Sequence, residues 1–180
     1  MEKQATGISI GKNIAYIALF TAVTVVCSWI HIPTPVPFTM QTFALFLAVC
    51  TLGAKKGWIV ACAYLLLGLV GVPVFSGFQG GGGALFGTTG GYLIGYFVGG
   101  GVMCLLDVLP FLKGKQGIIL SCGLLVYYLC GVLWYMLVFV QGAVGLGAAM
   151  LTCVLPFVLP DVAKLILALF LGKRLKRRIK

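Results

Sequence analysis

The sequence predicts an all-α integral membrane protein with six transmembrane helices and both termini cytoplasmic. Three observations carry this expectation. Hydrophobic residues make up 61% of the 180 residues, charged residues only 9%, and mean hydropathy is +1.14. A soluble domain of this length needs a charged shell that so few ionic residues cannot build. The apolar residues fall into six runs, and a span needs roughly 20 of them. Finally, every second connector is basic.

The first run covers residues 13–30 and the second 38–53. The third, 57–72, is short, and an outer loop at 73–88 follows. The fourth covers 89–108, the fifth 117–140 and the sixth 146–171, interrupted by Pro156 and Pro160. One membrane domain, 1–180, accommodates all six. Lys3 and Lys12 precede the first run, Lys55 and Lys56 separate the second and third, and Lys113 and Lys115 separate the fourth and fifth. Lys173, Arg174, Lys176, Arg177, Arg178 and Lys180 follow the sixth. The remaining connectors hold no Lys or Arg. This is the positive-inside pattern for an even number of spans. An odd number would put basic groups on both sides.

The net charge of +10 suggests nucleic acid in a soluble protein. Here the charges border apolar runs, and anchoring to anionic cytoplasmic lipid accounts for them. The first run has the basic start of a signal peptide, but it ends Cys-Ser-Trp-Ile-His without a small-residue cleavage site, so a retained helix is expected. Within it, Ala18 and Ala22 are four apart and Ala15 shares nearly the same face, a spacing that lets another helix approach. Cys27, Cys50, Cys62, Cys104, Cys122, Cys130 and Cys153 are scattered through apolar segments with no C-x-x-C pair, as small buried hydrophobes would be.

Catalytic signatures are missing. The glycine run 80–83 lacks the Lys and Ser/Thr of a phosphate-binding loop. His31 is the only histidine, which excludes a multi-histidine metal site. Acidic residues number three. Glu2 is near the terminus, and Asp107 borders the fourth run, where a solvated loop role is the default. Asp161 instead lies inside the sixth run, with Lys164 three residues on and on the same helical face. Charged residues at membrane depth are costly and usually face the bundle interior at functional sites. Two readings stay open: the pair neutralises itself, or a ligand re-pairs it. The neighbouring prolines each free a backbone carbonyl. Either a broken helix lines a cavity, or Pro160 starts a fresh helix with Asp161 in its first turn.

Two uncharged connectors complete the candidate site. The glycine-rich loop carries Phe75, Phe78, Gln79, Leu85 and Phe86 before Thr89 and Tyr92, and suits a lid with apolar walls. The other, from His31, has three prolines and leads into Phe38, Thr39, Gln41 and Thr42. Gln41 either caps the second helix or reaches a ligand. Gln41, Gln79, Asp161 and Lys164 amid aromatics such as Phe38, Phe75 and Tyr92 have the make-up of a small-molecule pocket.

Four segments, Val36-Pro-Phe-Thr-Met-Gln-Thr-Phe43, Gly68-Leu-Val-Gly-Val-Pro-Val-Phe75, Gly87-Thr-Thr-Gly-Gly-Tyr-Leu-Ile-Gly-Tyr96 and Leu159-Pro-Asp-Val-Ala-Lys164, together resemble the BioY family. That family is the biotin-specific membrane subunit, or S component, of energy-coupling-factor (ECF) vitamin transporters. The resemblance runs in order through nearly the whole chain. Thr88 departs from it, standing where the family often has proline. The resemblance implies the six-helix S-component fold in a bacterial plasma membrane. It implies biotin as ligand, no cofactor, no ATPase activity, and partners in a transmembrane coupling subunit and two cytoplasmic ATPases. Ala15, Ala18 and Ala22 would then dock on the coupling subunit. Asp161, Lys164, Gln79, Gln41, Phe38, Phe75, Tyr92 and Thr89 would meet biotin, with Asp161 accepting a ureido N–H and Lys164 pairing with the carboxylate or holding Asp161.

Overall fold

A computed structural model describes residues 2–34 and 37–179, with side chains from residue 10 to 178. Among these, α1 is Glu2–Trp29, α2 Gln41–Leu52, α3 Ala54–Leu69, α4 Gly90–Val108, α5 Gln116–Trp134, α6 Leu146–Cys153 and α7 Leu155–Ile179. A two-residue hairpin joins α1 to α2, with β1 (His31–Ile32) antiparallel to β2 (Phe38–Thr39). Pro35 and Val36, at the tip of the expected proline turn, lie outside the described residues, as does Lys180.

Helix α1 shows why the chain folds inward. Phe20, Thr21, Thr24 and Ser28 share one face of the helix and are buried. The hydroxyls of Thr21 and Thr24 donate to Ile17 O and Phe20 O, so polar side chains enter the core without orphaned donors. The opposite stripe, Ala15, Ala18, Ala22, Val26 and Trp29, is exposed.

The second apolar run is only partly helical. Phe38 and Thr39 pair in the hairpin, and the helix begins at Gln41. At twelve residues it is about 18 Å long, short of a ~30 Å hydrocarbon core. It is nonetheless buried along nearly its whole length. Gly53, at φ 93°, turns the chain directly from α2 into α3. Among the described residues, four helical segments are long and apolar enough to cross a membrane: Ile10–Trp29, Gly90–Val108, Gln116–Phe139 and Leu155–Arg178.

Helices α4 and α5 pack through small residues. A β-carbon on Gly91 would press on Cys130 O at 2.6 Å, on Gly95 on Tyr127 O at 2.9 Å, and on Gly99 on Gly123 O at 2.7 Å. This Gly-x-x-x-Gly-x-x-x-Gly stripe lets the two backbones touch.

The sixth run is two helices rather than one. The break falls at Val154 (φ −124°, ψ −56°), not at Pro160. Pro156 has no N–H to continue α6 and sits instead in the first turn of α7, where none is needed. The Cys153 carbonyl at the break accepts the Tyr92 hydroxyl at 2.6 Å. Asp161 therefore sits in the second turn of α7, directly after Pro160, a proline inside the helix.

The basic groups gather at one end of the bundle. Lys56 Nζ donates to Asn13 Oδ1 at 2.7 Å, joining the start of α3 to the N-terminal half of α1. Gly172, just before Lys173, seats against Cys50 near the end of α2. Gly117, two residues after Lys115, faces Leu169, which a β-carbon there would meet at 3.8 Å. The hairpin and the 73–89 loop lie at the other end.

Candidate functional site

A cavity opens at the hairpin end. Its floor is the charged pair on α7. Asp161 and Lys164 are 3% and 5% exposed, and Lys164 Nζ lies 2.7 Å from Asp161 Oδ1. Three neighbouring elements complete the network. Thr42, in the first turn of α2, donates to Asp161 Oδ1 at 3.1 Å and accepts from Lys164 at 3.3 Å. Thr39 in β2 offers its carbonyl to Lys164 at 2.6 Å. Tyr128 in α5 donates to Asp161 Oδ2 at 2.6 Å.

The count of partners matters. Lys164 has three N–H donors, and Asp161 Oδ1, Thr39 O and Thr42 Oγ1 take all three. Its ammonium also lies 3.8 Å from the centre of the Phe38 ring, a cation–π contact. An ionised carboxylate offers about four acceptor positions. Thr42, Lys164 and Tyr128 fill three at Asp161, so one remains, on Oδ2. The remaining acceptor on Asp161 suits an N–H donor.

The walls are aromatic. Phe38 stacks on Phe157 with ring centres 6.1 Å apart. Phe75, Thr89, Tyr92, Leu93 and Tyr127 line the other sides, with Ser76 and Pro37 at the loops and Gln41 at the start of α2. Met40 at the N-cap of α2 makes no side-chain cap bond, and the Gln41 N–H donates to Thr39 Oγ1 at 3.3 Å. The Gln41 side chain belongs to the cavity. The space between the walls, open mouth included, is about 520 Å³. It is narrow: only about 30 Å³ admits the centres of water-sized atoms, room for roughly two waters. A larger ligand requires the walls to part.

The structure thus gathers Phe38, Gln41, Phe75, Thr89, Tyr92, Asp161 and Lys164 into one site. It does not bring Gln79 there. Gln79 is exposed, and its carbonyl accepts the Phe75 N–H at 2.9 Å, closing a turn that carries its side chain away from the lining. Thr42, Tyr127, Tyr128 and Phe157 are lining residues that sequence reasoning did not select. Thr42 was legible as part of the polar entry to the second helix. The adjacent tyrosines in an apolar run were a weak signal, since tyrosine also marks membrane interfaces. Ala15, Ala18 and Ala22 lie apart from the cavity on the exposed stripe of α1; Ala18 and Ala22 border an apolar groove against α3. Among the described residues no cluster of His, Cys, Asp or Glu could hold a metal ion.

The model of the BioY family matches residues 1–180. The chain belongs to the BioY family. It is 37% identical over 167 residues to a probable biotin transporter BioY of Pyrococcus horikoshii, covering 92% of this chain and 96% of that one. It is 39% identical to the biotin transporter BioY of Thermotoga maritima, covering 88% and 92%. Its fold matches a crystal structure described as the S component for biotin of an ECF-type ABC transporter, with a TM-score of 0.82 and 27% identity over 94% of this chain and 93% of that one. Each of the four segments that resemble the BioY family contributes at least one residue to the cavity lining.

Proposed function

We propose that this chain is the biotin-capturing membrane subunit of an ECF-type importer, a transport protein rather than an enzyme. The observation that carries the reading is the buried Asp161–Lys164 pair, with one acceptor position left on Asp161 and aromatic walls around it. Biotin's ureido ring presents two N–H donors and a carbonyl, and its thioether ring and alkyl chain are apolar. Asp161 accepts one ureido N–H in a charge-assisted bond. Gln41, with both amide N–H and C=O, meets another polar group of the ligand. Phe38, Phe75 and Tyr92 pack on the apolar parts, with Thr89 at the rim. Lys164 has no free donor, which favours its holding Asp161 over pairing with the biotin carboxylate. Gln79 reaches the ligand only if its loop rearranges.

The same reading sets the protein in the bacterial plasma membrane, crossed six times by α1, α2, α3, α4, α5 and α7. The basic end and both termini face the cytoplasm by the positive-inside rule, so the cavity opens outward. The exposed alanines of α1, Ala15, Ala18 and Ala22, present a flat face to the coupling subunit, which in turn engages two ATPases.

Mass spectrometry of the small molecule released from protein purified from cells tests this directly. Biotin is the expected ligand. Recovery of riboflavin or thiamine instead, with no competition by biotin, would reassign the vitamin.

A further inference from the structure

Helix α1 lines no part of the cavity, yet it grips the loop that does. The Val74 carbonyl is buried between two hydroxyls from different helices. Tyr64 OH of α3 donates to it at 3.1 Å, and Ser28 Oγ of α1 is the other donor. One residue earlier, the Pro73 carbonyl accepts Trp29 Nε1 of α1 at 3.0 Å. Two consecutive loop carbonyls are thus held by three side chains. Directly after them come Phe75 and Ser76, both cavity-lining. The Phe75 ring fills a notch over Gly68, where any side chain would overlap it, and meets Tyr64 edge-on with centres 5.6 Å apart.

The three donors are not equivalent. Ser28 Oγ also lies 2.7 Å from Val25 O, one turn back on its own helix. A hydroxyl has one proton, so Ser28 serves Val25 or Val74 at a given moment. Releasing the loop therefore leaves Ser28 satisfied. Trp29 is partly exposed. Tyr64 is fully buried, and besides the Val74 carbonyl its hydroxyl has the Ser28 hydroxyl beside it, a partner already engaged by Val25 O once the loop leaves, so Tyr64 is the donor that release would leave more poorly satisfied.

We infer that Tyr64, Ser28 and Trp29 form a latch on the Val74 and Pro73 carbonyls that positions the Phe75–Ser76 wall and sets how long a ligand stays in the cavity. The narrow cavity supplies the reason: its walls must part to pass a ligand, and this wall is a loop rather than a helix. The latch rests on the biotin-binding reading for its ligand but not for its geometry.

The test uses the full chain in lipid nanodiscs, as wild type, Tyr64→Phe, Ser28→Ala, and both together. Two quantities are read: hydrogen–deuterium exchange of segment 72–81, which needs no ligand, and the dissociation rate of labelled biotin in a chase. Losing a buried hydrogen bond of ordinary strength should speed both by about five- to tenfold in Tyr64→Phe. Ser28→Ala should do less, since its proton has another acceptor, and exchange in α4 and α5 should not change. Trp29→Phe, at a partly exposed site, repeats the test if the double variant does not fold. Unchanged exchange in segment 72–81 overturns the latch, as does faster exchange with unchanged dissociation. Failure of the wild type to bind biotin would sink the function reading alone, and exchange would still decide the latch.

Discussion

Asp161 was conspicuous in the sequence because acidic residues are so few, and the structure explains how a membrane helix tolerates it. Each of its oxygens has a hydrogen-bonded partner from another element, and Lys164 balances its charge. Removing one partner should therefore cost more than removing the pair. Lys164→Met leaves a buried carboxylate without its cation and should destabilise the protein by about 3–5 kcal/mol in detergent unfolding. Tyr128→Phe removes one neutral donor and should cost about 1–3 kcal/mol by the same measurement. The pair was legible because i and i+3 spacing is local. Tyr128 was not, because its bond to Asp161 spans 33 residues and depends on how α5 and α7 are placed. Gln79 shows how a loop's local geometry decides where a polar side chain stands. Its polarity in an apolar loop suggested a ligand group, but a tight turn with Phe75 points it elsewhere.

Among the elements, the helices were readable from hydropathy, while their ends and breaks were not. Hydropathy averages over a window and cannot see that Phe38 and Thr39 pair across a hairpin, or that the chain breaks at Val154 before the prolines. The glycine stripe of α4 is the most consequential packing feature that the sequence reading passed over, its attention being on the alanines of α1. Gly91, Gly95 and Gly99 hold α4 against α5 and thereby seat Tyr127 and Tyr128 in the site. Gly95→Leu should push the helices apart, lowering stability by about 1–3 kcal/mol or more and weakening biotin binding. Gly117→Ala is the control: a β-carbon there meets only Leu169 at an ordinary 3.8 Å, and both properties should stay near wild type.

For the whole molecule, charge and cavity sit at opposite ends of the bundle. Lys56, Lys115 and Lys173 mark one end, and Phe38, Phe75 and Asp161 the other. This polarity was legible from the spacing of lysines alone, because each connector reports a side without reference to packing. In intact cells, a membrane-impermeant maleimide should label Gln79→Cys and spare Lys115→Cys; the opposite pattern would invert the topology. The central claim is that the charged floor of the cavity captures biotin. It is tested most directly by titrating purified wild type and the double variant Asp161→Asn/Lys164→Met with biotin side by side. Removing both charges together should keep the fold, since buried ion pairs are often replaceable by apolar groups at little cost in stability. The account predicts a variant that melts near the wild type yet binds biotin at least about tenfold more weakly, the loss of one charge-assisted bond. A folded double variant with wild-type affinity would contradict it.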